Sequence, residues 1–412
     1  MDNGLKIGTY MLARYLDLFL LFLTNYSLLL LTWVLGRILG RSVKMSTNSI
    51  LFLENFPLNN AGYQYRAKKW AELLNQNGFY CEVLTCATPE FDFSRAWSSD
   101  EYFRFYVKNI SLKFRHCIYA RKFQTVVVRR ELLMFNDYGN LFMEKFLLKI
   151  HPNVILDFDD DIAAAKNQPK KISNWYGKLL LEDGNKFNNS LKLYKRFIVA
   201  SDYLKQKVLH ENPCLEPIKV LVIPTCVDYD KYPGKHYPDR IEEITFGWIG
   251  GDHNYHLLDT IIPILDKLAS NHKFKLLVIG GQLYKRNCNF EIEFQSWSLE
   301  TEVANLYKID VGLMPLKNNA TAKGKGGFKL IQYMGLGIVS IANDVTINSQ
   351  IINHENNSFL VRSEQDWFKA FYRILNNEFS LSEMGCRAKE KIHKHYTFAA
   401  NLDKYMRFIS SG

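Results

Sequence analysis

Residues 321–334 read TAKGKGGFKLIQYM and bring three glycines, three lysines and a glutamine into one short stretch. Glycine has no Cβ, so backbone N–H groups at Gly324, Gly326 and Gly327 can approach a ligand closely. The glycines lead into 327–334, whose apolar spacing predicts a helix. A helix N-terminus carries unsatisfied N–H donors and partial positive charge, which suits a phosphate. Lys323, Lys325 and Lys329 add full charges, and Lys325 and Lys329 share one face if both are helical. Gln332 lies about one turn beyond Lys329, where its amide can bond sugar hydroxyls. Lys325, Gly326, Gly327, Phe328, Lys329 and Gln332 are therefore the candidates for holding a sugar diphosphate. The competing reading is a surface lysine–glycine loop.

Gly250 and Gly251 form a second such feature, followed by Asp252, His253 and Asn254 at the end of a predicted strand. Paired glycines at a strand-to-helix turn permit close approach of backbone to ligand, or simply a tight turn. Neither segment has the Gly-Lys-Ser/Thr ending of a P-loop. Neither is a Gly-x-Gly-x-x-Gly after the first strand, which disfavours a nicotinamide dehydrogenase.

The acidic run Asp157-Phe158-Asp159-Asp160-Asp161 ends an apolar stretch. It is compatible with a metal-binding Asp-x-Asp, with the nucleophile motif of haloacid-dehalogenase-type phosphatases, or with a solvated turn capping a helix. The phosphatase motif wants Thr or Val where Asp161 stands. Nothing nominates the facing carboxylate pair of a glycosidase.

The elements that position these residues alternate. Strands are predicted at 49–54, 79–85, 125–129, 153–158, 196–200 and 219–223, with a helix over 63–77 closed by Gly78. A loop through Pro57, Asn59, Asn60 and Gly62 joins the first strand to that helix, and 87–122 reads as irregular. Residues 224–243, with Pro233, Gly234 and Pro238, read as a linker. The cycle then restarts with strands at 244–249, 274–279, 290–295, 310–314, 337–342 and 357–361. Helices are predicted over 256–270, 300–308, 364–376, 381–395 and 398–409, besides the one from 327. Such alternation indicates βαβ units and parallel sheets, hence an α/β fold with two Rossmann-like domains facing a cleft. The expected division is 1–45, 46–223, 224–395 and a C-terminal helix, 396–412, packing back on the first domain.

The 412 residues are 47% hydrophobic and 23% charged, as in a folded chain. A net charge of +10 suits anionic partners. Basic pairs such as Lys68-Lys69, Arg129-Arg130 and Lys170-Lys171 are dispersed, and no nucleic-acid motif is found. Seven cysteines without a Cys-x-x-Cys pair signal neither a zinc site nor a disulfide framework, so reduced thiols in a cytosolic compartment are expected.

Residues 18–35 are uncharged and about long enough to span a bilayer. Arg37, Arg41 and Lys44 follow the run, against Lys6 and Arg14 before it, which puts the C-terminal side in the cytoplasm. Asn25 and Ser27 at its middle weaken a spanning reading, and the alternative is an interfacial helix. Membrane contact is expected through residues 16–41. If 1–44 are an extension ahead of Met45, the folded part is expected in the cytoplasm.

On these residues the chain resembles the glycosyltransferase family 4 (group 1) enzymes of the GT-B fold. The likeness covers nearly everything after Met45. It is carried by IEEITFGWIGG, FKLLVIGG, IDVGLMPLKNNATAKGKGGFKLIQYMGLGIVSIAN and NHENNSFLV in the second half. In the first half the Gly62 loop, VVVRRELL, ILDFDDDI and VIPTCVDYDKY fit as well. The resemblance implies a retaining, metal-independent hexosyl transfer from a nucleotide-sugar, needing no cofactor, in surface polysaccharide or glycolipid synthesis. Gln332 and Gly324 stand where typical members carry two glutamates. Asp252, His253 and Asn254 follow the glycine pair where members often carry an Arg and a Lys, which moves the diphosphate clamp to the lysines near Gly327. No catalytic histidine transfers, because Arg129, Arg130 and Glu131 stand at its place. The acceptor side falls to Gly62, Tyr63 and Arg66. Catalytic candidates are Asp159, Asp160, Glu131 and Arg130, the acidic run orienting acceptor hydroxyls or Arg130 at a strand end. The rival functions are a non-catalytic nucleotide- or glycan-binding relative and a magnesium-dependent phosphatase built on Asp157–Asp161.

Overall fold

The structure, a computed structural model, describes residues 2–40, 46–56, 58, 60–86, 97–133, 135, 137, 139–166, 175–181, 185–238, 241–281 and 283–411. Arg41, Lys44, Met45, Pro57, Asn59, Lys170, Lys171 and the 87–96 part of the stretch read as irregular lie outside the described residues.

The chain divides into two compact units. Unit 1 comprises Met1–Val222 with Phe408–Gly412, and unit 2 comprises Ile223–Arg407. Unit 1 opens with α1 (Asp2–Leu39), β1 (Ser46–Glu54), a π-helical turn (Tyr63–Lys68) and α2 (Lys69–Gln76). β2 (Tyr80–Thr85), α3 (Ser99–Ala120), β3 (Phe123–Arg129), α4 (Phe142–Ile150) and β4 (Val154–Phe158) follow. Helices α5 (Ile162–Lys166), α6 (Trp175–Leu181) and α7 (Lys186–Leu191) lead to β5 (Phe197–Val199), α8 (Asp202–Glu211) and β6 (Val220–Val222). The strands form one sheet in the order β2-β1-β3-β4-β5-β6, every neighbouring pair parallel. Both faces are covered, which is why β1 and β3 are continuous apolar runs rather than alternating ones.

Unit 2 repeats the plan. It runs β7 (Ile244–Ile249), α9 (Tyr255–Leu258), α10 (Ile262–Leu268), β8 (Phe274–Gly280), β9 (Glu291–Ser296), α11 (Glu302–Tyr307) and β10 (Val311–Met314). Then come α12 (Ala320–Lys323), α13 (Phe328–Gly335), β11 (Val339–Asn343), α14 (Thr346–Ile351), β12 (Phe359–Val361), α15 (Glu364–Leu375), α16 (Leu381–His395) and α17 (Phe398–Ser410). Its sheet is again all parallel, in the order β12-β11-β10-β7-β8-β9. The two six-stranded parallel sheets are those that the sequence alternation predicts. The end of α17 belongs to unit 1, where the Arg196 guanidinium donates to the Phe408 carbonyl and stacks 4.7 Å from its ring centre.

Two elements differ from expectation. The stretch read as irregular contains the 22-residue helix α3, opened by a capping box in which Ser98 and Glu101 satisfy each other's backbone N–H. Its inward face includes buried Asn109 and Lys113, so the apolar period breaks where the helix meets the core. The helix expected over 256–270 is two short ones, because Pro263 opens α10 in its first turn.

Candidate functional site

In a parallel sheet the ligand-binding crevice opens where strand order reverses, beyond the strands' carboxyl ends. In unit 2 that reversal falls between β7 and β10. Gly250 and Gly251 leave β7 there, and the glycine loop into α13 follows β10. The topology thus brings together the two segments that sequence alone singles out.

Their contact is direct. A Cβ on Gly250 would lie 2.5 Å from the Lys329 Nζ and 2.7 Å from the Trp248 ring. Lys329 Nζ sits 3.9 Å from the centre of that ring, a cation–π contact. Among the described residues Lys329 has no carboxylate partner. Burial, and then the charge of nearby Lys325, push its pKa well below the ordinary lysine value. The side chain is a half-buried cation with no anion beside it among the described residues.

α13 is set in place by Tyr333, whose ring lies where a Cβ on Gly312 would be and whose hydroxyl accepts from the Ile249 N–H at 2.9 Å. Gly327 takes φ +69 as the residue before α13, and a Cβ on it would meet Ile351 at 2.8 Å. The glycine therefore ends the loop and starts the helix where no L side chain fits. It also corrects one expectation: Lys325 is not helical and does not share a helix face with Lys329, although the two charges are close. Phe328 opens α13 half-buried, and Gly326 is buried before it. Gln332 is buried, and its Nε2 has no hydrogen-bond partner among the described residues. The Gly251 carbonyl accepts from the Asn254 N–H, closing a short turn.

Unit 1 has its reversal between β1 and β3. There the sequence candidates form one buried ionic network. Glu54, ending β1, accepts from Arg129, ending β3, at 3.1 Å. Arg129 reaches on to Asp159 at 3.2 Å, and Arg130 donates to Asp159 and Asp160 at 3.3 and 3.4 Å. Arg66 holds Asp157 through two bonds of 3.1 and 2.7 Å. Burial would raise Asp159, but the Arg129 and Arg130 guanidinium groups outweigh it and hold the carboxyl well below its usual range. Burial dominates at Asp157 and raises it despite Arg66.

Gly62 borders this network. A Cβ there would lie 2.1 Å from the Arg129 Nη2, so the glycine makes room for the guanidinium. Tyr63 and Arg66 are buried in the π-helical turn, and Arg66 is spent on Asp157 rather than open to a ligand. Glu131 is buried, its carbonyl accepting from Asn55 Nδ2. Arg130, with φ +63, Asp159 and Asp160 are the half-buried members, Arg130 and Asp160 the more open.

These contacts disfavour the nucleophile reading of the acidic run and modify the solvated-cap reading. Asp157 is buried against an arginine and unsuited to nucleophilic attack. Asp161 does cap α5 through the Ala164 N–H, but it is buried against Lys207 rather than solvated. No group of three or more His, Cys, Asp or Glu side chains among the described residues is placed to hold a metal. Sequence reasoning missed Glu54, Arg129 and Trp248. The signal was a charged or large aromatic residue at the carboxyl end of an otherwise apolar strand, where a switch point lies.

No curated protein sequence matches the chain. Solved structures do. Sucrose-phosphate synthase from Thermosynechococcus elongatus superposes with a TM-score of 0.65 at 12% identity, covering 88% of this chain and 100% of that one. A glycosyltransferase from Rickettsia africae gives 0.61 at 13% identity, covering 88% and 98%. HepE of Anabaena, solved with UDP and glucose, gives 0.57 at 12% identity, covering 88% and 100%. Residues 243–377, all within unit 2, match the family model described as glycosyl transferases group 1. The fold is therefore that of the GT-B glycosyltransferases, and the group 1 match over unit 2 supports a glycosyltransferase.

Proposed function

We propose that the chain moves a hexose from a nucleotide-sugar onto a glycan or lipid-linked acceptor, as a family 4 enzyme retaining anomeric configuration. One observation carries the reading: an ammonium with no carboxylate partner among the described residues, Lys329, wedged between Trp248 and Gly250 at the switch point of unit 2. The bond between the sugar C1 and the diphosphate oxygen breaks with its electron pair on the phosphate. Lys329, Lys325 and the N-terminus of α13 stabilise that charge. The acceptor oxygen bonds C1, and its proton passes to the departing phosphate oxygen. The clamp is built of lysines and backbone, so the proposed transfer needs no metal or other cofactor. Gln332 would face the donor's ribose or sugar hydroxyls with its unpartnered amide. Arg130 and Asp160, at the open side of the unit 1 network, would meet the acceptor. The setting is surface polysaccharide or glycolipid synthesis at the cytoplasmic side of a membrane. HepE's complexes with UDP and UDP-glucose favour a uridine donor as the first to test.

A second reading rests on Gln332 and Gly324 standing where the family carries carboxylates: a non-catalytic relative that binds nucleotide or glycan. Thermal shift with UDP, GDP, ADP and CMP, followed by donor consumption over a sugar panel, separates the two. Binding with consumption supports transfer, and binding without consumption supports the relative. No shift with any nucleotide contradicts both.

A further inference from the structure

The N-terminal helix is apolar on both its packed face and its exposed face. Counting along α1, the half-buried and buried positions are Leu18, Leu21, Asn25, Leu28, Thr32, Leu35 and Leu39, with Leu29 and Gly36 beside them. The spacing alternates three and four, a packing seam of the kind used between helices. Between its leucines the seam holds Asn25, Thr32 and Gly36. Asn25 is fully buried and accepts from the Tyr106 hydroxyl of α3. Thr32 is buried with its hydroxyl on the Leu28 carbonyl, and Gly36 admits the Lys149 stem of α4. The outer face carries Phe19, Leu20, Leu23, Leu30, Leu31 and Ile38, from 44% to 73% exposed. A helix serving only an aqueous protein would carry polar residues on that outer face.

The segment Leu18–Leu39 is long and apolar enough to cross a bilayer by length and composition. Its packing argues against that orientation. Asn25 meets Tyr106, and the Leu39 carbonyl accepts from Arg121 at 2.7 Å. The contacts are fourteen residues apart on α1 and fifteen on the α3 side, so the two helices run alongside each other in one direction. α1 also packs along α4. A spanning α1 would carry α3 into hydrocarbon with exposed Arg104 and Arg115, or would have to leave its seam and expose Asn25 to lipid.

We infer that α1 is a monotopic membrane-docking face: it stays seated on unit 1 and lays its apolar outer stripe in the plane of an anionic lipid surface. The charge fits that occupant. Arg37 stacks 3.9 Å over the Trp33 ring, a cation and an indole together at the helix end, the pairing suited to headgroup depth. α3 alongside adds the exposed Arg115, Arg104 being paired with Asp100, and the chain carries +10. The outer face also suits lipid in detail, since the exposed Thr24 hydroxyl bonds the Leu20 carbonyl of its own helix. This deepens the membrane side of the proposed function, but its test is independent of sugar transfer.

The experiment is flotation of the full chain with vesicles of phosphatidylcholine alone and of phosphatidylcholine with phosphatidylglycerol. Binding is expected to the mixed vesicles and to weaken with salt. Leu30→Glu with Ile38→Glu should weaken it at least about tenfold while leaving the protein folded, because both sites are exposed. Leu283→Glu, an equally exposed leucine of unit 2, should leave it unchanged. Alkaline carbonate should release the chain from cell membranes. Retention after carbonate means a spanning helix and overturns the proposal. A dimer in solution that Leu30→Glu dissolves, without vesicle binding, assigns the stripe to a second copy and overturns it too, as does absence of any vesicle binding. In each case the nucleotide-induced thermal shift of unit 2 reports separately on the donor site.

Discussion

Lys329 and Trp248 stand 3.9 Å apart, ammonium over ring, at the carboxyl end of β7. The ring supplies part of the compensation a half-buried cation needs, and no carboxylate among the described residues supplies the rest. That deficit is the physical content of the donor-site proposal, and it gives the site a pH signature.

Lys329 has a lowered pKa in the free protein, and a diphosphate bound there would raise it again. Nucleotide affinity should therefore fall as pH rises through the lowered value, as the ammonium is lost. Between the free and bound values, binding takes up a proton. Calorimetry in two buffers of different ionisation enthalpy checks this: uptake is expected on the alkaline side, and none at acid pH, where Lys329 is already charged. The linkage for folding has the same origin. The unfolded chain binds this proton more tightly, so this group's contribution to stability increases as pH rises from the lowered value toward the ordinary lysine value.

Gly250→Ala should weaken nucleotide binding. The new Cβ would come within 2.5 Å of Lys329 Nζ and within 2.8 Å of two Trp248 ring atoms, so the ammonium must move off the ring. A loss of about 1–2 kcal/mol of binding, with the fold retained by circular dichroism, is the expected result.

Gly62→Ala should act on stability in unit 1. Its Cβ would occupy the place of the Arg129 guanidinium, which holds Glu54 and Asp159. Urea denaturation should show a loss of about 1–3 kcal/mol from overpacking. Arg66→Met should cost more, about 3–5 kcal/mol, because it leaves Asp157 buried and unpaired. Acid titration adds a sign: Asp159 is depressed in the folded state, so its contribution is present at neutral pH and disappears as pH falls through that low value.

The α1 seam predicts unequal effects of two leucine changes. Leu21→Ala removes a buried seam residue and should cost about 2 kcal/mol or more, seen as faster hydrogen exchange in α1. Leu30→Ala, 63% exposed, should change solution stability by less than about 0.5 kcal/mol.

Much of this architecture was legible in the sequence. The strands are short apolar runs because both sheets are covered on both faces, and the glycine loop announces itself by composition. What was hidden is long-range. Arg66 and Asp157 are 91 positions apart, and Arg129 and Glu54 are 75 apart. No local pattern pairs an arginine with one carboxylate rather than another. α3 was hidden because the buried Asn109 and Lys113 interrupt its apolar period, and the Lys113 ammonium donates to the distant Glu54 carbonyl. Trp248 looked like one more apolar strand residue, and only the β7/β10 adjacency gives it Lys329 as a neighbour. Asn25, a mark against a spanning helix in the sequence, is explained by Tyr106.

The most direct test is thermal unfolding of Lys329→Met, alone and with UDP, GDP, ADP or CMP. Methionine keeps the stem and removes the unpaired charge. The variant should unfold at a higher temperature than the native chain without ligand, and the nucleotide-induced rise should be lost. A variant less stable than the native chain that keeps its full nucleotide response would contradict the assignment of Lys329 to the diphosphate.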